Sequence, residues 1–128
     1  MRRLAPPALL AAACAFALGG CTDHSKDEQQ VRALVTQFAA ANGPQACNLM
    51  TTVAQGQVYG NGHPENGRRN CQTASKRFRG AAVHITNIHF SDNNTAKAFT
   101  MDATRKINYT VTAVRFGHHW KIDGITRG

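Results

Sequence analysis

Residues 82–125 read AVHITNIHFSDNNTAKAFTMDATRKINYTVTAVRFGHHWKIDGI, and through them apolar and polar residues alternate with a period of two, the mark of half-buried strands. Turn-forming groups divide the stretch into four strands, 82–90, 95–101, 107–116 and 120–125. The breaks are Ser91-Asp92-Asn93-Asn94, the segment from Asp102 to Lys106, and Gly117-His118-His119. Consecutive strands with short links predict an antiparallel meander. The third strand is apolar on both faces, with Tyr109, Val111 and Ala113 on one and Val114 and Phe116 on the other. That pattern suits a central strand covered twice. One face then meets helices and the other needs a cover, for which a second copy of the chain is the simplest candidate. A two-residue and a three-residue turn at Gly117 put Trp120 on opposite faces, so the last register stays open.

Upstream of the strands the period is helical. Ser25-Lys26-Asp27-Glu28 reads as a capping box, and Val31, Leu34, Val35, Phe38 and Ala39 form one apolar stripe that Asn42-Gly43-Pro44 ends. Pro44 opens a second helix with Ala46, Cys47, Leu49, Met50 and Val53 on one face. Residues 55–70, rich in Gly, Asn and His-Pro, predict a long loop, and a third helix follows over 71–78, stopped by Gly80. Helices first and strands second define an α+β domain, with the N-terminal helices packed on one face of a curved antiparallel sheet of about four strands.

The N-terminus carries an address. Met1-Arg2-Arg3, an apolar run to Leu18 and small residues before Cys21 have the three parts of an export signal. Leu18-Gly19-Gly20-Cys21 resembles the lipobox of a bacterial lipoprotein signal. The resemblance implies cleavage before Cys21, diacylglycerol on its thiol, and a protein held by lipid at the extracytoplasmic face of the cell membrane. Two or more acyl chains anchor stably where one does not. The expected organisation is a signal peptide over 1–20, a lipidated tether over 21–25 and a single domain over 26–128. The apolar run is shorter than the ~20 residues a membrane-spanning helix needs.

Removing the signal discards Cys14, and lipid takes Cys21, which leaves Cys47 and Cys71 in an oxidising compartment. They are expected to form a disulfide. No Cys-x-x-Cys or close Cys/His grouping surrounds either, so neither a zinc site nor any cofactor is implied. Loss of Arg2 and Arg3 lowers the formal charge from +8 to +6. Nucleic acid is not an expected partner outside the cell, and anionic lipid head groups or wall polymers are the natural counter-charges.

The amphipathic first helix, Ala46-Cys47-Asn48-Leu49-Met50, a cysteine after a loop, Asn94-Thr95-Ala96-Lys97-Ala98 and the closing Trp120-Lys121-Ile122-Asp123-Gly124-Ile125 together look like the small lipoproteins of the nuclear-transport-factor-2-like superfamily. The resemblance implies a cystatin-like cone: a curved sheet wrapped against three helices around a cavity, with dimerisation through the outer sheet face. Four strands are fewer than the fuller members have.

Enzymes of that superfamily place an acid or base inside the cone, where burial tunes its pKa. The candidate cavity residues are Asp102, Tyr109 and His84, a carboxylate, a phenol and an imidazole. None matches a family catalytic motif, so a turn aspartate, a rim tyrosine and a solvent-facing histidine are the plainer reading, and no catalytic residue is assigned. His84 and His89 are an odd number apart and point to opposite faces unless a bulge intervenes, while His118 and His119 adjoin in a turn; no metal site is assigned. Arg68, Arg69, Lys76, Arg77 and Arg79 surround Cys71 as a candidate membrane-facing patch, since a tether this short holds the domain within roughly 23 Å of its anchor. The favoured expectation is a non-catalytic module that binds a small hydrophobic ligand or an envelope partner. An isomerase, cyclase or dehydratase is the competing one.

Overall fold

The computed structural model describes residues 23–41, 44–74 and 82–128. They form helices α1 (Ser25–Ala40), α2 (Pro44–Asn48), α3 (Thr52–Tyr59) and α4 (Pro64–Ala74), followed by strands β1 (Val83–Asp92), β2 (Thr95–Asp102), β3 (Asn108–Phe116) and β4 (His119–Arg127). The strands pair antiparallel in chain order, β1-β2-β3-β4, within two residues of the bounds expected from the period-two pattern. The α+β class and the meander are thus as expected. Among the described residues no helix is long and apolar enough to cross a membrane. The signal segment, Cys21, and Lys76, Arg77 and Arg79 lie outside the described residues.

The core lies between α1 and the inner sheet face. Val31, Leu34 and Val35 of the predicted stripe are buried against Ala96 and Ala98 of β2, Val111 and Ala113 of β3, and Trp120 and Ile122 of β4. Each full-sized apolar side chain buried this way contributes about 1.5–3 kcal/mol. The open register is settled by Phe116 pairing with His119 across a two-residue turn, with Gly117 at φ +60°. A glycine at the first central position supplies the positive φ such a hairpin requires, and Trp120 consequently faces the core.

Register shifts in β1 and β4 reset the strand period. In β1 the register shifts between Ile85 and Asn87, so Val83 and Ile85 face inward and, one step out of phase, so do Ile88 and Phe90. The same shift places His84 and His89 together on the exposed face, against the parity that their odd separation predicts without a bulge. In β4, Thr112 pairs with Gly124 and Ala113 with Ile122, which makes Asp123 the extra residue.

The second helix is interrupted where one continuous helix is expected. The amide of Ile122 donates to the Leu49 carbonyl and the Thr51 amide to the Ile122 carbonyl, both at 2.8 Å, in a parallel bridge of Met50 to Ile122. β4 is an edge strand, and residues 49–51 cover part of its open hydrogen-bonding edge at the cost of helical continuity. The helix restarts at Thr52 with Thr51 as its cap, and Val53, expected on the buried face, is 52% exposed.

Residues 55–70 are largely helical, not the expected loop. A Cβ on Gly67 would overlap the Gln55 backbone, and one on Gly60 would overlap Gly67. These glycines let α3 and α4 cross at backbone contact, a use of glycine that a sequence does not distinguish from a turn. Cys47 and Cys71 form the expected disulfide, which ties α2 to α4 with both residues buried.

The capping box at Ser25 is not formed. The helix begins one residue earlier than that motif requires, so Ser25 occupies the first turn. Its amide donates to Asp23 Oδ1 at 2.9 Å, the Glu28 amide to the His24 carbonyl at 2.7 Å, and Glu28 pairs with Arg32. His24, placed in the tether by its position, belongs to the fold. Its ring stacks on Phe90 at 4.4 Å, Phe90 meets Trp120 edge-on at 6.0 Å, and Arg115 lies over Trp120 while pairing with Asp27 at 3.2 Å.

Candidate functional site

Between α1, the end of α3 and the inner sheet face lies an apolar cavity of about 260 Å³. Val35, Phe38 and Ala39 of α1 form one wall, Val58 and Tyr59 of α3 another, and Val83, Val111 and Ile125 the sheet side. Drug-sized ligands usually occupy ~300–1,000 Å³, so this cavity suits one or two rings or a short acyl segment. Burial pushes the Tyr59 phenol up, which keeps it protonated.

Asp102 and Tyr109 both line this cavity, at the ends of β2 and β3 where the strands leave the core. Asp102 is 8% exposed. Its Oδ1 accepts from the Thr104 amide at 2.8 Å and the Arg105 amide at 2.9 Å, closing the turn that Lys106 completes with φ +58°. The Arg105 and Thr104 amides hold its carboxyl below the ordinary carboxylate value, since both bonds favour the ionised form. A general base working near neutral pH needs the opposite displacement. Thr100, facing the same cavity, donates its hydroxyl to the Tyr109 carbonyl at 3.2 Å. Among the described residues no hydrogen bond joins the Asp102 carboxylate to another titratable side chain.

His84 is not in the cavity; the β1 alternation puts it on the exposed outer face opposite Met101. That face carries Thr95, Thr110, Thr112 and Thr126 with Lys97 and Lys121, so solvent suits much of it, although Phe99 is 39% and Phe116 59% exposed. Arg68 and Arg69 are exposed on α4, while the other three members of the basic cluster lie outside the described residues. Among the described residues no three His, Cys, Asp or Glu side chains stand close enough together to hold a metal ion.

The sequence pattern left unseen a second, polar depression of about 600 Å³ between α2, the start of α3, α4 and the β3–β4 hairpin. Its floor depends on the break at residues 49–51 and on the α3–α4 crossing, neither of which has a sequence signature. No protein-family model, curated protein or solved structure matches this chain.

Proposed function

We propose that the chain is a lipid-anchored extracytoplasmic lipoprotein whose domain, a cone of the nuclear-transport-factor-2-like kind, is a non-catalytic module that binds a small hydrophobic ligand. The observation that carries the binding reading is the apolar cavity over the inner sheet face, in which the one carboxylate among the described lining residues, Asp102, is engaged by backbone amides. The lipobox-like Leu18-Gly19-Gly20-Cys21 supports the anchor, and Arg68 and Arg69 on the surface of α4 support a membrane-facing orientation. The exposed Phe99 supports a homodimer through the outer sheet face. An acid–base enzyme of the isomerase, cyclase or dehydratase kind draws support from Asp102 and Tyr109 sharing the cavity. The direction of the Asp102 shift weakens it.

Fluorescence titration with N-phenyl-1-naphthylamine, a neutral apolar probe, tests the cavity. Saturable enhancement at one site, weakened at least about tenfold (~1.4 kcal/mol) by the cavity-filling Ala39→Phe, is expected. Enhancement that is absent, or unchanged in the variant, contradicts the reading.

A further inference from the structure

We infer that the polar groove between α2, α4 and the β3–β4 hairpin is a second binding site, for an acidic saccharide. Among the described residues it shares no lining residue with the apolar cavity.

Four properties of the groove point to that ligand class. Amide side chains line it, Asn48, Gln55 and Gln72, and an exposed amide such as that of Asn48 presents a donor and an acceptor together, as the paired hydroxyls of a sugar do. Phe116 lines the same groove while 59% exposed, and an aromatic face of that kind covers the C–H side of a sugar ring. The charged groups among its described lining residues are both cations, Arg68 and Lys121 on opposite walls, which suit a carboxylate. Finally, Gln55 is 8% exposed and its Nε2 donates to the Cys47 carbonyl at 2.8 Å, yet its Oε1 has no hydrogen-bond partner. A buried acceptor without a donor costs about 1–3 kcal/mol; Oε1 is closed to solvent in the free protein, so a ligand hydroxyl supplies the missing donor once the Gln55 amide turns toward the groove it lines. A fully deprotonated anion such as sulfate satisfies the cations but brings no donor for Gln55, and hydrogen phosphate, which has a P–OH donor, brings no ring for Phe116 to cover. A phosphatidylglycerol head group brings no ring for Phe116 to cover. An acidic sugar answers all four features.

The test is calorimetric titration of the full chain in neutral detergent with trigalacturonate, its neutral methyl ester and inorganic phosphate, alongside binding to phosphatidylglycerol vesicles. Trigalacturonate is expected to bind with a Kd of about 0.1–1 mM (roughly −5.5 to −4.1 kcal/mol) and the methyl ester about tenfold more weakly. Phe116→Ala and Arg68→Gln, both at exposed positions, are each expected to weaken it at least about fivefold, whereas Ala39→Phe in the other cavity leaves it unchanged. The inference is overturned if phosphate binds as tightly as the saccharide, if Phe116→Ala has no effect, or if only the vesicles are bound.

Discussion

The Thr51 hydroxyl donates to Asp123 Oδ1 at 2.8 Å across 72 residues of sequence. Thr51 Oγ1 also accepts from the Ala54 amide at 3.1 Å, so one hydroxyl caps α3 and fastens it to the bulge of β4. The bulge places Asp123 there, and the neighbouring Met50–Ile122 bridge holds the two segments in register.

This junction sets the first expectation. Thr51→Ala removes a cap and a long-range bond together and is expected to cost about 1–2 kcal/mol in urea unfolding. Asp123→Ala should cost less, and the double variant less than the sum, because both single changes break one shared bond. Strict additivity would show that the pair is not coupled.

The disulfide sets the second. Cys47 and Cys71 are 24 apart in sequence, and the chain-entropy relation for a loop of about 25 residues gives about 3.5 kcal/mol. The Cys47→Ala, Cys71→Ala double variant is expected to lose that amount in a denaturant series. A loss under about 1 kcal/mol would mean that the helices hold each other without the bond.

At Gly67 the sign of a substitution is diagnostic. Glycine to alanine inside a helix ordinarily stabilises by about 0.5–1 kcal/mol. Here the added methyl overlaps the Gln55 backbone, and destabilisation of about 1–3 kcal/mol is expected instead. A rise in melting temperature for Gly67→Ala would refute the α3–α4 crossing.

Acid stability should report the turn bond of Asp102. Its folded-state pKa lies below the ordinary carboxylate value, so its stabilising contribution is fully present above that ordinary value and disappears as pH falls through the folded one. Asp23, lowered by the Ser25 amide and hydroxyl, acts in the same direction from a fully exposed site. Asp102→Asn is expected to flatten the acid limb from the ordinary carboxylate value downward while retaining an acceptor for the two amides. An unchanged limb would mean that the carboxylate charge does not stabilise the turn.

The sheet was legible because its inner positions alternate with polar ones over four runs, and because Gly117 and the Asp/Asn turns mark the reversals. The α1 stripe was legible through Val31, Leu34 and Val35 at helical spacing. What escaped has a common physical cause: it depends on contacts between segments distant in sequence. Gly60 and Gly67 look like turn residues until another helix backbone lies against them. The break at Met50 exists because an edge strand lies beside it. The β1 bulge brings His84 and His89 onto one face without altering composition. The strand faces of Asp102 and Tyr109 follow from the alternation, but the bonds that hold the Asp102 carboxylate come from the turn beyond it. The polar groove is assembled from four separate elements and left no pattern in any of them.

Native mass spectrometry of the protein extracted from the membranes of its own host bears most directly on the proposed lipid-anchored binding module. The expected mass is that of residues 21–128 with a diacylglycerol thioether on Cys21, one intact disulfide and a noncovalently bound small apolar molecule. A chain that begins with an unmodified Met1, carries free thiols at Cys47 and Cys71 and releases no ligand would contradict it.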